Sequence, residues 1–125
     1  MAVRYMRYAV NVPAATETTI FTAPVSDDDV PGAADSVIIG FFVASTASAE
    51  GELTVTLTAF YDATVITLCD TIPLPADSSV DIMPGKMVLQ HGLNNASPTP
   101  VLTGDIIKVT STQTCSVVLS TVERI

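Results

Sequence analysis

There is no tryptophan in this chain of 125 residues, and there are only three tyrosines and four phenylalanines. Sugar-binding platforms rely on flat aromatic faces, so a carbohydrate-binding surface is poorly supplied. Charge is sparse too, at 14% of residues against about 25% in an average globular protein. Five basic residues face thirteen acidic ones, and a net charge of -8 repels phosphate backbones, which argues against nucleic acid as a partner. The single histidine, His91, and two distant cysteines, Cys69 and Cys115, cannot form a zinc site without carboxylate help, and no metal or other cofactor is expected. The cysteines read as a reduced, partly buried pair acting as small apolar residues.

Long hydrophobic runs are also missing. Val37–Ala49 is the longest uncharged apolar stretch, and it falls short of the about 20 residues that cross a membrane. The N-terminus is basic and apolar, but Arg7 and Asn11 interrupt it before the roughly 7–15 apolar residues of a secretion signal, so synthesis in the cytoplasm is expected. No window places apolar residues at helical spacing over ten or more positions, and the many Thr and Val residues disfavour a helix.

What remains is β-structure with abundant turn chemistry. The stretch Ile72–Asp105 is the most heavily punctuated, with Pro75–Ser79 as a turn, Pro84-Gly85 between two short apolar pieces, and Gly104-Asp105 at the opening of the next strand. Strands are expected near 4–12, 17–23, 36–45, 52–61, 64–74, 80–90, 105–111 and 115–123. Leu53, Val55, Leu57 and Ala59 alternate with Thr54, Thr56, Thr58 and Phe60, the cleanest two-residue period in the chain. Residues 52–61 and 64–74 read as a hairpin turning at Asp62-Ala63, and 105–111 with 115–123 read as a last hairpin turning at Thr112–Thr114. Gly40, inside the continuously apolar Ser36–Ser45, suggests a bulge or a close backbone approach. The loops Val25–Asp35 and Leu93–Leu102 separate strands. The fold class is all-β: a single-domain antiparallel β-sandwich, with the jelly roll as one form. Residues 1–16 are an N-terminal strand or arm, and 17–125 the sandwich. With about 65% of its unfolded surface buried, a chain of this length has a real core.

Several residues invite a chemical reading. Asp27, Asp28 and Asp29 resemble a calcium loop, but three consecutive carboxylates cannot converge on one ion, and a solvated loop fits better. Ser78, Ser79 and Ser97 lack the flanking glycines of a nucleophile elbow near His91. Cys115 shares its strand phase with Val117 and Leu119 and should point inward, away from any dyad with His91. Asp62, Asp77, Asp81 and Asp105 flank turns, where carboxylates ordinarily cap local backbone donors. The chain is expected to be non-enzymatic, with no small-molecule substrate.

Taken together, ETTIFTAP (Glu17–Pro24), the apolar strand with Gly40, IPLPADSSVDI (Ile72–Ile82), GKMVL (Gly85–Leu89), GDIIKVT (Gly104–Thr110) and SVVLSTVE (Ser116–Glu123) resemble the small virion proteins of tailed bacteriophages. The resemblance spans about Glu17 to Glu123 and implies a capsid decoration, or cement, protein. Such a protein would be trimeric and bound to the major capsid protein on the capsid surface. The alternative is a receptor- or glycan-binding module of a tail or fibre. No family residue carries over, because the work is done by surfaces. The expected interface combines Arg4, Tyr5, Arg7 and Tyr8, on an otherwise acidic molecule, with Ile106, Val118 and Val122. These last three lie out of phase with the inward Ile107, Val117 and Leu119 and are expected on one outward face.

Overall fold

The computed structural model describes residues 3–26, 35–59, 63–82, 86–93 and 104–124. Among them are the strands β1 (Val3–Val12), β2 (Thr18–Thr22), β3 (Val25–Ser26), β4 (Ser36–Ser45), β5 (Gly51–Thr58), β6 (Val65–Leu74), β7 (Ser79–Asp81), β8 (Met87–Leu89), β9 (Gly92–Leu93), β10 (Ile106–Ser111) and β11 (Cys115–Arg124), and no helix. The aspartate triplet 27–29 and most of the loop after Leu93 lie outside the described residues.

Pairing follows one rule. β1 pairs with β11, β2 with β10, β4 with both β7 and β8, and β5 with β6, always antiparallel. The chain is therefore a long hairpin with β5–β6 at its tip, and the doubled ribbon wraps so that successive pairs fall in alternate sheets. One sheet has the order β1-β11-β4 with β7 and β8 sharing the far side of β4; the other runs β2-β10-β5-β6. Eight strand positions arranged this way make a jelly roll, which realises the expected sandwich.

The core lies between the sheets. Ile38, Phe41 and Val43 of β4 and Val117 and Leu119 of β11 meet Leu53 and Val55 of β5 and Ile107 and Val109 of β10, all but fully buried. Burial of each such side chain stabilises the fold by about 1.5–3 kcal/mol. Spacing in β4 is irregular for a reason: Gly40 pairs with Ser120 and Ile38 with Thr121, so Ile39 is an extra residue in a bulge. The bulge lets residues 38 and 41, three apart, both face the core. A Cβ on Gly40 would meet only ordinary contacts at 3.8 Å, so the bulge, and not a close approach, accounts for this position.

Three expectations need correction. β10 and β11 do not form a hairpin, because they belong to different sheets. Thr112–Thr114 offers no glycine or asparagine for a tight left-handed turn. Instead the Thr112 N–H donates to the Glu52 carbonyl at 3.0 Å and Thr112 Oγ1 accepts from the Glu52 N–H at 2.9 Å, which holds Thr112 to β5 in the sheet of β10, and the chain has crossed by Thr114, whose carbonyl accepts the N–H of Thr46 next to β4 at 3.2 Å. The 80–90 stretch is two short strands, not one, with β7 and β8 at opposite ends of β4. Asp105 does not cap a local donor only: it accepts the backbone N–H of Gln90 at 2.9 Å, fifteen residues away. A further feature has no sequence precursor. β3, within one stretch read as loop, and β9, at the start of the other, pair in parallel over two residues. As for the N-terminal segment, β1 matches β11 residue for residue along its length and is a strand of the sandwich.

Candidate interaction surface

Alternation along β1 sends Arg4, Met6, Tyr8, Val10 and Val12 toward one side and Tyr5, Arg7, Ala9 and Asn11 toward the other. The register decides which side is which: Val12 pairs with buried Cys115, Val10 with Val117 and Tyr8 with Leu119. Tyr8 and Arg4 are consequently turned to the inner side. The Tyr8 ring meets Phe21 edge-to-face at 4.9 Å between centroids. Its hydroxyl donates to Glu123 Oε2 at 2.7 Å, Thr121 Oγ1 donates to the same oxygen at 2.9 Å, and the Arg4 guanidinium lies 3.5 Å from Glu123 Oε1. Glu123 is buried, and these donors compensate its lost hydration. Arg4 and Tyr8 thus serve to pin β1 to β11 within the chain.

Burial and the hydrogen bond to Glu123 push the Tyr8 hydroxyl from its ordinary 10.0 up to about 12. The folded protein holds this proton to higher pH than the unfolded chain does. Its contribution is therefore fully present below pH 10 and is lost as pH rises from about 10 to about 12. Tyr8→Phe is expected to cost roughly 1–2 kcal/mol at neutral pH and to flatten the alkaline fall in stability over that window. Urea midpoints measured across the window for both proteins provide the check, and parallel alkaline slopes would refute this role.

The opposite side of the first sheet is an exposed face with little charge. Tyr5, Val122, Val37 and Val88 form one row across the strands, Ala9, Val118, Phe42 and Asp81 another, and Arg7, Ser120 and Gly40 lie between them. Tyr5 is 77% exposed, Val88 56%, Ile39 43% and Phe42 42%. Of the expected interface residues, Tyr5, Arg7, Val118 and Val122 are brought together here. Ile106 is not. It sits on the outer face of the second sheet beside Thr22 and Thr58, with the whole core between it and Val118. That second outer face is rich in threonine, and its Lys108 pairs with Glu17 at 3.5 Å. Alternation gave the phase of each residue correctly, but one outward face for Ile106 and Val118 together is ruled out by the sheet membership of β10 and β11.

The other candidate groups are engaged in structure. His91 is buried, its Nδ1 donates to the Gly92 carbonyl at 2.9 Å, and its backbone N–H donates to Asp35 Oδ1 at 3.1 Å, while its Nε2, 3.8 Å from the same oxygen, has no hydrogen-bond partner among the described residues. Cys115 is buried and Cys69 half-buried, both thiols are free, and burial pushes both pKa values up, away from the reactive thiolate. Asp77 occupies a turn with a positive φ of 52°, Asp81 lies on β7, and Asp62 falls outside the described residues. Among the described residues, no three His, Cys, Asp or Glu side chains gather into a metal site.

No protein-family model matches the chain, and no curated protein does. Solved structures do match in fold. The chain is similar to a protein of the infectious bursal disease virus Gx strain, with a TM-score of 0.52 at 14% identity, over 96% of this chain and 32% of that one. It is similar also to the VP2 protein of the subviral particle of infectious bursal disease virus, at 0.53 and 14%, over 97% and 32%. A third match is to T=1 particles derived from the same virus, at 0.51 and 13%, over 98% and 35%. The chain spans about a third of the length of these proteins.

Proposed function

We propose that this protein is a non-enzymatic structural component of a virion, of the capsid decoration type, which binds the major capsid protein on the assembled shell and reinforces it. The observation that carries this reading is the jelly roll itself, shared along nearly the whole chain with proteins of viral particles. Two features of the molecule support it. A broad, weakly charged apolar face lies open on the first sheet, where desolvation on docking is cheap. Two groups that might do chemistry, His91 and Cys115, are buried.

Purified particles should contain a band at 13.1 kDa in high, fixed copy number. Shells lacking the protein should bind it to saturation and then resist heat or osmotic shock better. A band absent from particles, or binding to host cells or sugars in place of shells, would favour a receptor module and overturn the decoration reading.

A further inference from the structure

We infer that the outer face of the first sheet docks onto an acidic protein surface, whose carboxylates engage Arg7 and Lys86 on either side of the exposed apolar side chains. The inference rests on the virion reading, since it names the chemistry that a shell must offer to this face.

The reasoning starts from where the cations stand. The chain has five of them in a molecule of net charge -8. Arg4 is paired with Glu123 and Lys108 with Glu17. Arg7 and Lys86 are exposed and form no ion pair among the described residues. Both belong to this face. Arg7 pairs with Ser120, in the row of Gly40. Met87 pairs with Ile38 and packs against the core, so Lys86, one residue earlier, takes the outward phase of Val88 and falls level with Ile39. The two cations thus flank the middle of the sheet from opposite edges, three strand spacings or about 14 Å apart. Arg124, the fifth, comes to the same phase through its pairing with Val3. Of the described anions near the face, Asp81 on β7 already has an interaction within the chain. Asp77 stands past the end of β4, where its N–H donates to the Ala47 carbonyl at 3.2 Å. The exposed acids Glu17, Glu50, Glu52 and Asp70 lie elsewhere. The cations without a partner therefore share the face of Tyr5, Ile39, Phe42 and Val88.

That combination selects the occupant. A folded acidic surface can set carboxylates against Arg7 and Lys86 and apolar groups between them, so that opposite charges at the edges steer the approach and fix the register. An anionic bilayer or a nucleic acid is an extended polyanion, and it would face the surrounding acids of this molecule as well as its few free cations. A second copy meeting this face with its own would set cations among cations and add the repulsion of -8 against -8. Area agrees with a protein partner. The face is four strand positions wide, its longest strands have ten residues, and at about 4.8 Å between strands and 3.3 Å per residue it covers roughly 500–600 Å² in projection. With a matching area on the partner, the contact reaches the about 1,000 Å² that a specific interface requires.

The test is binding of the purified protein to shells that lack it. At low salt the wild type should bind to saturation, R7Q/K86Q about tenfold more weakly and R7E/K86E about a hundredfold more weakly. R7K/K86R, which exchanges one cation for another, should stay within about threefold of the wild type, and so should K108E on the opposite face. Raising the salt to about 0.3 M should weaken the wild type and leave R7Q/K86Q nearly unchanged. Far-UV circular dichroism and melting of every variant guard against misfolding, and should R7E/K86E not fold, R7Q/K86Q decides alone. Saturable binding that ignores both the charge changes and salt would overturn the inference and leave the virion reading standing, whereas a wild type that binds no shell would remove both. Binding to phosphatidylglycerol vesicles, or self-association in sedimentation equilibrium, that R7Q/K86Q abolishes would give the face to a membrane or to a second copy and overturn it likewise.

Discussion

Gly104→Ala should lower stability by about 3–4 kcal/mol, a large share of the roughly 5–15 kcal/mol typical of a domain. The obstacle is space. A Cβ on Gly104 would stand 2.6 Å from the Ala23 Cβ, 2.7 Å from the Ala23 carbonyl oxygen and 2.7 Å from the Gln90 carbonyl oxygen. Two of these three atoms are backbone, and both oxygens are in use. The Gly104 N–H donates to the Ala23 carbonyl at 3.1 Å, and the Asp105 N–H donates to the Gln90 carbonyl at 3.0 Å. Making room would therefore break bonds that tie the ends of β2, β8 and β10 together, including the one from Gln90 to the Asp105 carboxylate. A melting temperature lower by roughly 10–15 °C is the expected readout. Gly51 and Gly40 provide graded controls. At Gly51 the nearest atom is the flexible Gln113 side chain at 3.0 Å, and at Gly40 contact begins at 3.8 Å. If Gly104→Ala melts no lower than Gly51→Ala, the crossing of the three segments has been misplaced.

That glycine shows where the sequence was informative and where it was not. Gly104-Asp105 was legible as the opening of a strand, because glycine and aspartate break what precedes them. Which backbone segments lie against it was not, since local chemistry does not name a partner 15 or 80 residues away. The same limit explains β10 and β11. Alternation marks Ile107, Val117 and Leu119 as inward and Ile106, Val118 and Val122 as outward, and the structure agrees on every phase. A period of two residues gives the face of a strand but not its sheet, so a crossing between layers looked like a hairpin. β3 and β9, at two residues each, are shorter than any alternation that could announce them.

For the candidate surface, part of the shortfall was avoidable. Arg4 and Tyr8 share their phase with Val10 and Val12, and that apolar company indicated an inner side. Tyr5 and Arg7, in the other phase, were the better pair for a partner. Ile39 and Phe42 were harder to single out. The bulge at Ile39 shifts the alternation midway through β4, so that which of the adjacent phenylalanines faces the core depends on one extra residue.

Those phenylalanines permit the sharpest separation of core from surface. Phe41 is 1% exposed, at the centre of the core, while Phe42 is 42% exposed on the outer face. Phe41→Ala removes a buried ring from a close-packed interior and leaves a cavity, so it should cost about 3–5 kcal/mol at any protein concentration. Phe42→Ala vacates no interior space, and its cost should stay below about 1 kcal/mol. Melting curves of the wild type and the two variants test both assignments together. A Phe42→Ala protein as unstable as Phe41→Ala would place residue 42 inside the sandwich.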